Sequence, residues 1–221
     1  MSRAFLDRVA SFAADHITPA AAVWSMGGSP DAAIYEMAGR IGILGMQVPQ
    51  SFGGQGLDFK SRTAVCSLLG GADFGFAMSL VNTHNIALLL SEIGPVDLCQ
   101  SYIPDLLSGK ISACTALTEP GTGSDFAAVT TQATKRKNGW VLNGAKTWII
   151  NGRHAGLSVV YAQCISIGDA GGIGAFLVDL NAKGVTRYAI DTGFAQTSMG
   201  TGGFTLQDVE VAHDAMLIPP G

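Results

Sequence analysis

Charge is scarce in this 221-residue sequence: only 14% of its residues are Asp, Glu, Lys or Arg. Soluble domains usually carry about 25%. So little charge implies either a large core or a surface partly covered by another domain or subunit. No run of cations extends beyond Lys135-Arg136-Lys137, which lies beside Asn138-Gly139 and reads as a solvated hairpin tip. With a net charge of −4, the basic footprint of a nucleic-acid binder is missing. The four cysteines, Cys66, Cys99, Cys114 and Cys164, form no C-x-x-C pair, and no histidine stands at metal-ligand spacing from them. A metal site is therefore not expected, and the thiols read as free in a reducing compartment. No uninterrupted apolar stretch reaches roughly 18 residues. Met1-Ser2-Arg3-Ala4-Phe5 lacks the apolar run of a signal peptide. The expectation is a soluble, cytoplasmic chain with no membrane span. Dinucleotide, phosphate-loop, zinc-protease and serine-hydrolase motifs are all lacking.

What is present divides in two. Residues 3–16 place Phe5, Leu6, Val9, Phe12 and Ala13 on one helical face, and Thr18-Pro19 is expected to end that helix. Ser29-Pro30-Asp31 reads as a cap, a first-turn proline and a first-turn acid, opening a helix with Ile34, Met37, Ala38 and Ile41 inward. Glycines and Pro49 over 42–59 mark a loop. Helices follow at 60–72 and 74–92, the second apolar on most sides, and Gly94-Pro95 ends it. A last helix carries Leu98, Tyr102, Leu106 and Leu107 and closes at Gly109.

From residue 111 the apolar period becomes two, with strands expected at 111–118, 127–136, 140–149, 157–164, 174–180, 184–190 and 203–212. Asn138-Gly139 signals a hairpin, and Gly168, Gly171, Gly172 and Gly174 another turn. The fold class is α+β: an all-helical domain over 1–111, then a small antiparallel β-barrel or sandwich over 112–221.

The seam between these halves carries the candidate chemistry. Thr118-Glu119-Pro120-Gly121-Thr122-Gly123-Ser124-Asp125 offers glycines that let a ligand approach the backbone, hydroxyls, and outward N–H groups. By itself it reads equally as an ordinary turn-rich loop. Trp148 reads either as a core aromatic or as an indole packed beside a planar ring. His16, His84, His154 and His213 are scattered. His84 stands out because Asn82, Thr83 and Asn85 accompany it inside an apolar helix, where buried polar groups need partners.

Five ordered segments carry a resemblance. Thr118 to Asp125 resembles the T-E-P-G-x-G-S-D signature of acyl-CoA dehydrogenases, and Lys146-Thr147-Trp148-Ile149-Ile150-Asn151-Gly152 resembles their K-x-W-I-T-N-G. Ile43 to Gly56, Ser101 to Gly109, and Phe204 to Val211 are similar to three further family segments. The resemblance implies FAD held non-covalently between a helical and a β domain. It places Thr115, Leu117 and Thr118 along the flavin, Gly123 and Ser124 where flavin phosphate and acyl-CoA approach, and Trp148 and Ile150 by the isoalloxazine. Ser124, Met78, Val81 and Asn85 would meet substrate.

The implied reaction is α,β-desaturation of an acyl-CoA or carrier-bound thioester. A carboxylate base takes the α-proton, and a hydride leaves the β-carbon for flavin N5. The implied partners are an electron-transfer flavoprotein or another acceptor, and further copies of the chain in a dimer or tetramer. The family's base lies in a C-terminal helical domain, so no catalytic base is assigned within 1–221. Ile150 stands where the family usually has Thr, and the segment after Met199-Gly200 is short. Two alternatives remain: a flavin monooxygenase or oxidase on the same fold, and an inactive FAD- or acyl-binding partner.

Overall fold

The computed structural model describes residues 3–165, 171–191 and 196–220. Two compact units emerge: Met1–Ser112 with Asp191–Gly200, and Ala113–Ile190 with Thr201–Gly221.

In the first unit, α1 (Arg3–Phe12) runs through a π-helical turn (Ala13–Ile17) into α2 (Thr18–Ser25). Thr18-Pro19 therefore does not end the helix, contrary to the sequence expectation. Pro19 falls in the first turn of α2, where its missing N–H costs little, and the wider π turn precedes it. The Thr18 hydroxyl donates back to the Ala13 carbonyl at 3.0 Å.

Helix α3 (Ala32–Ile41) is capped by Asp31 and not by Ser29: the Asp31 carboxylate accepts from the Ile34 N–H at 3.1 Å. That places Pro30 outside the helix, and Gly42 closes it at φ 96°. Two 3-10 turns, Ile43–Gly45 and Gln50–Phe52, punctuate the following loop. Asp58 caps α4 (Phe59–Ala72) and Asp73 caps α5 (Phe74–Ile93), each carboxylate accepting an N–H three residues on. Gly94 and Pro95 then separate α5 from α6 (Val96–Ser108), and Gly109 at φ 80° stops α6.

The core of this unit centres on Phe76 of α5, fully buried, with Trp24 at 5.1 Å and Tyr35 at 5.2 Å between ring centroids. Burying such a ring contributes about 1.5–3 kcal/mol. The segment 197–199 is tied to the same unit, since the Ser198 hydroxyl donates to Asp73 at 2.6 Å. By length and composition α5 could cross a bilayer, but 56% of its apolar window is buried inside the protein, the behaviour of a core helix.

The second unit is an 8-stranded sheet. Its strands are β1 (Ala113–Ala116), β2 (Gln132–Arg136), β3 (Gly139–Ile149), β4 (Leu157–Ile165), β5 (Gly172–Asp179), β6 (Val185–Ala189), β7 (Gly202–Val211) and β8 (Met216–Ile218). The order is β6-β7-β3-β2-β4-β5-β8, with β1 also on β4. The expectation of an antiparallel barrel or sandwich needs correction. β1 and β2 both pair parallel to β4, one with each half of it, so the sheet is mixed. Among the described residues the end strands β6 and β8 do not pair, so no closed barrel forms. Alternation identifies strands but carries no information on which distant strands meet.

The hairpin at Asn138-Gly139 is present, with Lys137 and Asn138 as its turn and Arg136 paired to Gly139. Gly139 is required there: a Cβ would lie 2.0 Å from the Val211 carbonyl oxygen. Gly172 and Gly174 lie within β5 and not in a turn, while Gly168 falls outside the described residues.

Candidate functional site

The site elements of the second unit are the loop after β1 and the end of β3. Glu119 and Thr122 exchange backbone hydrogen bonds of 2.9 and 3.2 Å, so Glu119-Pro120-Gly121-Thr122 closes as a tight turn. Its Glu119 side chain turns inward and is 4% exposed. There the carboxylate accepts from the Lys146 ammonium at 2.8 Å and from the backbone N–H and hydroxyl of both Thr130 and Thr131. Lys146, fully buried, also donates to the Leu117 carbonyl at 3.1 Å.

Burial alone would raise the Glu119 carboxyl; the bonds from Lys146, Thr130 and Thr131 outweigh it and hold the group down at about 2. Burial pushes the Lys146 ammonium below its ordinary value, and Glu119 opposes that. The ion pair thus persists through the dense donor shell on the carboxylate. One further link joins the segments: the Thr147 N–H donates to the Thr118 carbonyl at 3.0 Å. The two sequence signatures are one structural object.

Trp148 lies two residues beyond Lys146 on the same strand. The β3–β7 register shifts between Lys146 and Ile149, and Trp148 adopts φ 57°. A non-glycine residue there is strained by roughly 1–2 kcal/mol, and such strain concentrates at functional sites. The bulge turns the indole outward, 59% exposed, while Ile149 beside it is buried. The core-aromatic reading of Trp148 is therefore excluded.

Asn151, in the turn after β3, repeats the left-handed conformation at φ 64°. Its buried amide donates to the Ala113 carbonyl of β1 at 2.9 Å, and its own carbonyl accepts from His154 and Ala155. Ile150 is half-buried in that turn.

The remaining predicted residues of the loop fall beside this lock. Thr115, Leu117 and Thr118 are half-buried, and Gly123 and Ser124 are exposed. A Cβ at Gly121 or Gly123 would meet nothing within 4 Å, so packing inside the protein does not demand glycine at either. Open space over bare backbone suits close approach of a ligand. Sequence reasoning did not count Glu119, Lys146 and Asn151 as site residues. The signal available was two opposite charges placed within the two signatures of a charge-poor chain.

In the first unit, Met78 and Val81 are half-buried and Asn85 is exposed, at spacings that put them on one face of α5. The Asn85 side-chain oxygen accepts from Arg62 at 2.9 Å. His84 faces the interior: its Nδ1–H donates to the Leu44 carbonyl at 3.2 Å, and its buried Nε2 has no partner. Burial pushes it down to about 4, so it is neutral at pH 7, and α5 is unbroken around it. All four cysteines are unbridged.

Comparison with known proteins extends the pattern to the whole chain. The family model described as acyl-CoA dehydrogenase, N-terminal domain, matches residues 1–110, and that for the middle domain matches residues 114–209. Human mitochondrial short-chain specific acyl-CoA dehydrogenase is 32% identical over 209 residues, which cover 94% of this chain and 48% of that protein. Among solved structures, glutaryl-CoA dehydrogenase from Mycobacterium smegmatis in complex with FADH2 superposes with a TM-score of 0.90 at 27% identity, over 99% of this chain and 56% of that one. Butyryl-CoA dehydrogenase from Megasphaera elsdenii gives 0.89 at 26% identity, over 99% and 58%. The chain spans about half the length of the curated relatives it matches.

Proposed function

Because this chain belongs to the acyl-CoA dehydrogenase family, we propose that it provides flavin- and acyl-binding surfaces of an FAD-dependent dehydrogenase that desaturates an acyl thioester. The observation that carries this reading is the buried Glu119–Lys146 pair, which locks both signatures together and seats an outward-facing Trp148.

The residues fit a flavin. Trp148 presents an apolar face to a flat ring. Thr115 and Thr118 supply hydroxyls along a polar edge, with Leu117 between them. Gly123 leaves room for backbone N–H groups to reach phosphate oxygens, and Ser124 adds a donor where ligand phosphates and the thioester meet. Ile150 has no hydroxyl, so any hydrogen bond from that position comes from the backbone. Met78, Val81 and Asn85 line the path of the acyl chain. FAD, when bound, supplies the two-electron redox chemistry. This chain's residues orient the cofactor and exclude water from it.

No residue of 1–221 is assigned as the base that takes the α-proton. Glu119 is unsuited to that role: it is sealed among five donors and held at about 2. An acyl-CoA or an acyl-carrier thioester is the proposed substrate, with an electron-transfer flavoprotein or another acceptor downstream and a homodimer or homotetramer as the assembly. Four unbridged thiols suit the cytoplasm.

Flavin spectra test the proposal. The chain reconstituted with FAD should retain it through gel filtration, and an unreactive acyl-CoA thioether should shift its visible bands. Bleaching is expected only where a carboxylate base is also supplied. Failure to hold FAD, or NADH-linked oxygen consumption in place of thioester-dependent bleaching, would contradict it.

A further inference from the structure

Arg62 of α4 carries a charge that no carboxylate answers. Among the described residues, no Asp or Glu lies within ion-pair distance of its guanidinium. Its Nη1 donates to the Gln47 side-chain oxygen at 3.0 Å and its Nη2 to the Asn85 side-chain oxygen at 2.9 Å. Those amides orient the fork without neutralising it. A guanidinium has five N–H donors, so among the described residues three are left without a protein acceptor. The side chain is half-buried, which weakens solvent screening of the charge.

The neighbouring titratable group offers no compensation. His84 is fully buried beside Asn85, and burial, with the Arg62 charge acting in the same direction, keeps it neutral. A clasped, half-buried cation with free donors and no counter-ion is a built receptor for an oxyanion. Asn85 continues the α5 face of Met78 and Val81, so the cation lies at the end of an apolar stripe.

We infer that Arg62, held between Gln47 and Asn85, receives an anionic oxygen group of the thioester ligand. The group is either a carboxylate at the far end of the acyl chain or a phosphate of CoA. This rests on the reading of the α5 face as ligand-facing.

Calorimetric titration with unreactive thioethers tests it and separates the two sources. The ligands are a CoA thioether ending in a carboxylate, the same ligand ending in a methyl, and a pantetheine thioether without phosphates. If the acyl carboxylate is read, Arg62→Met weakens only the first, by about tenfold to a hundredfold. If a CoA phosphate is read, both CoA ligands weaken by that factor and the pantetheine ligand does not. Arg62→Lys keeps the charge and loses the fork, and should fall between the wild type and Arg62→Met. It guards against a folding defect in the methionine variant, which an unchanged thermal midpoint would also exclude. Wild-type binding of the CoA ligands with no change in either variant overturns the inference alone. Wild-type protein that binds none of the three ligands overturns it together with the dehydrogenase reading.

Discussion

The carboxylate of Glu119 and the ammonium of Lys146 lie 2.8 Å apart with both side chains sealed from solvent. They are 27 residues apart in sequence and join the loop after β1 to the end of β3. Removing one member leaves the other charge buried without its partner, which costs about 3–5 kcal/mol. Glu119→Ala and Lys146→Met should each lower unfolding free energy by that amount in urea titrations. The double variant should lose less than the sum, because neither charge is then stranded. Glu119→Ala should weaken FAD retention without eliminating binding.

Acid should act in two windows. The Glu119 carboxyl sits at about 2 against an ordinary 4.5. Its folded value is depressed, so its stabilisation is complete above 4.5 and is lost as pH falls toward 2, worth roughly 3 kcal/mol. His84 sits at about 4 against 6.5. The unfolded chain binds that proton first, so stability also falls from pH 6.5 toward 4. Urea midpoints across pH 7 to 3 check both. Glu119→Gln should flatten the lower window, and His84→Leu the upper.

Asn151 combines left-handed backbone with a buried hydrogen bond to Ala113. Asn151→Ala should therefore cost about 2–4 kcal/mol, the sum of conformational strain and the lost buried hydrogen bond. Asn151→Gly relieves the strain and should cost about half as much. Equal losses in the two variants would show that strain plays no part.

The sequence made local features legible and left the long-range ones hidden. Helical periodicity located α4 to α6, and Gly109 and Asn138-Gly139 mark a helix end and a hairpin. The mistaken cap at Ser29 arose because Ser-Pro-Asp offers two capping residues two positions apart, and only the Ile34 N–H direction separates them. Parallel pairing of β1 and β2 with β4 joins segments with other strands between them, and period-two patterning is the same whichever neighbour a strand takes. Trp148 is the clearest case. Strict alternation would put it on the same side as Lys146, but the bulge between them sends one inward and the other out. The lock itself was hidden because charges in a glycine-rich loop ordinarily face solvent.

Trp148 offers the most direct test of the central claim that the two signatures form a flavin seat. Trp24 and Trp140 are 5% and 6% exposed, against 59% for Trp148, so solvent-exposed indole emission reports on this residue. FAD titrated into the apo chain should quench that red-shifted component, and the same titration of Trp148→Phe should lack it. FAD binding that leaves the Trp148 emission unchanged, or quenching that persists in Trp148→Phe, would contradict the account.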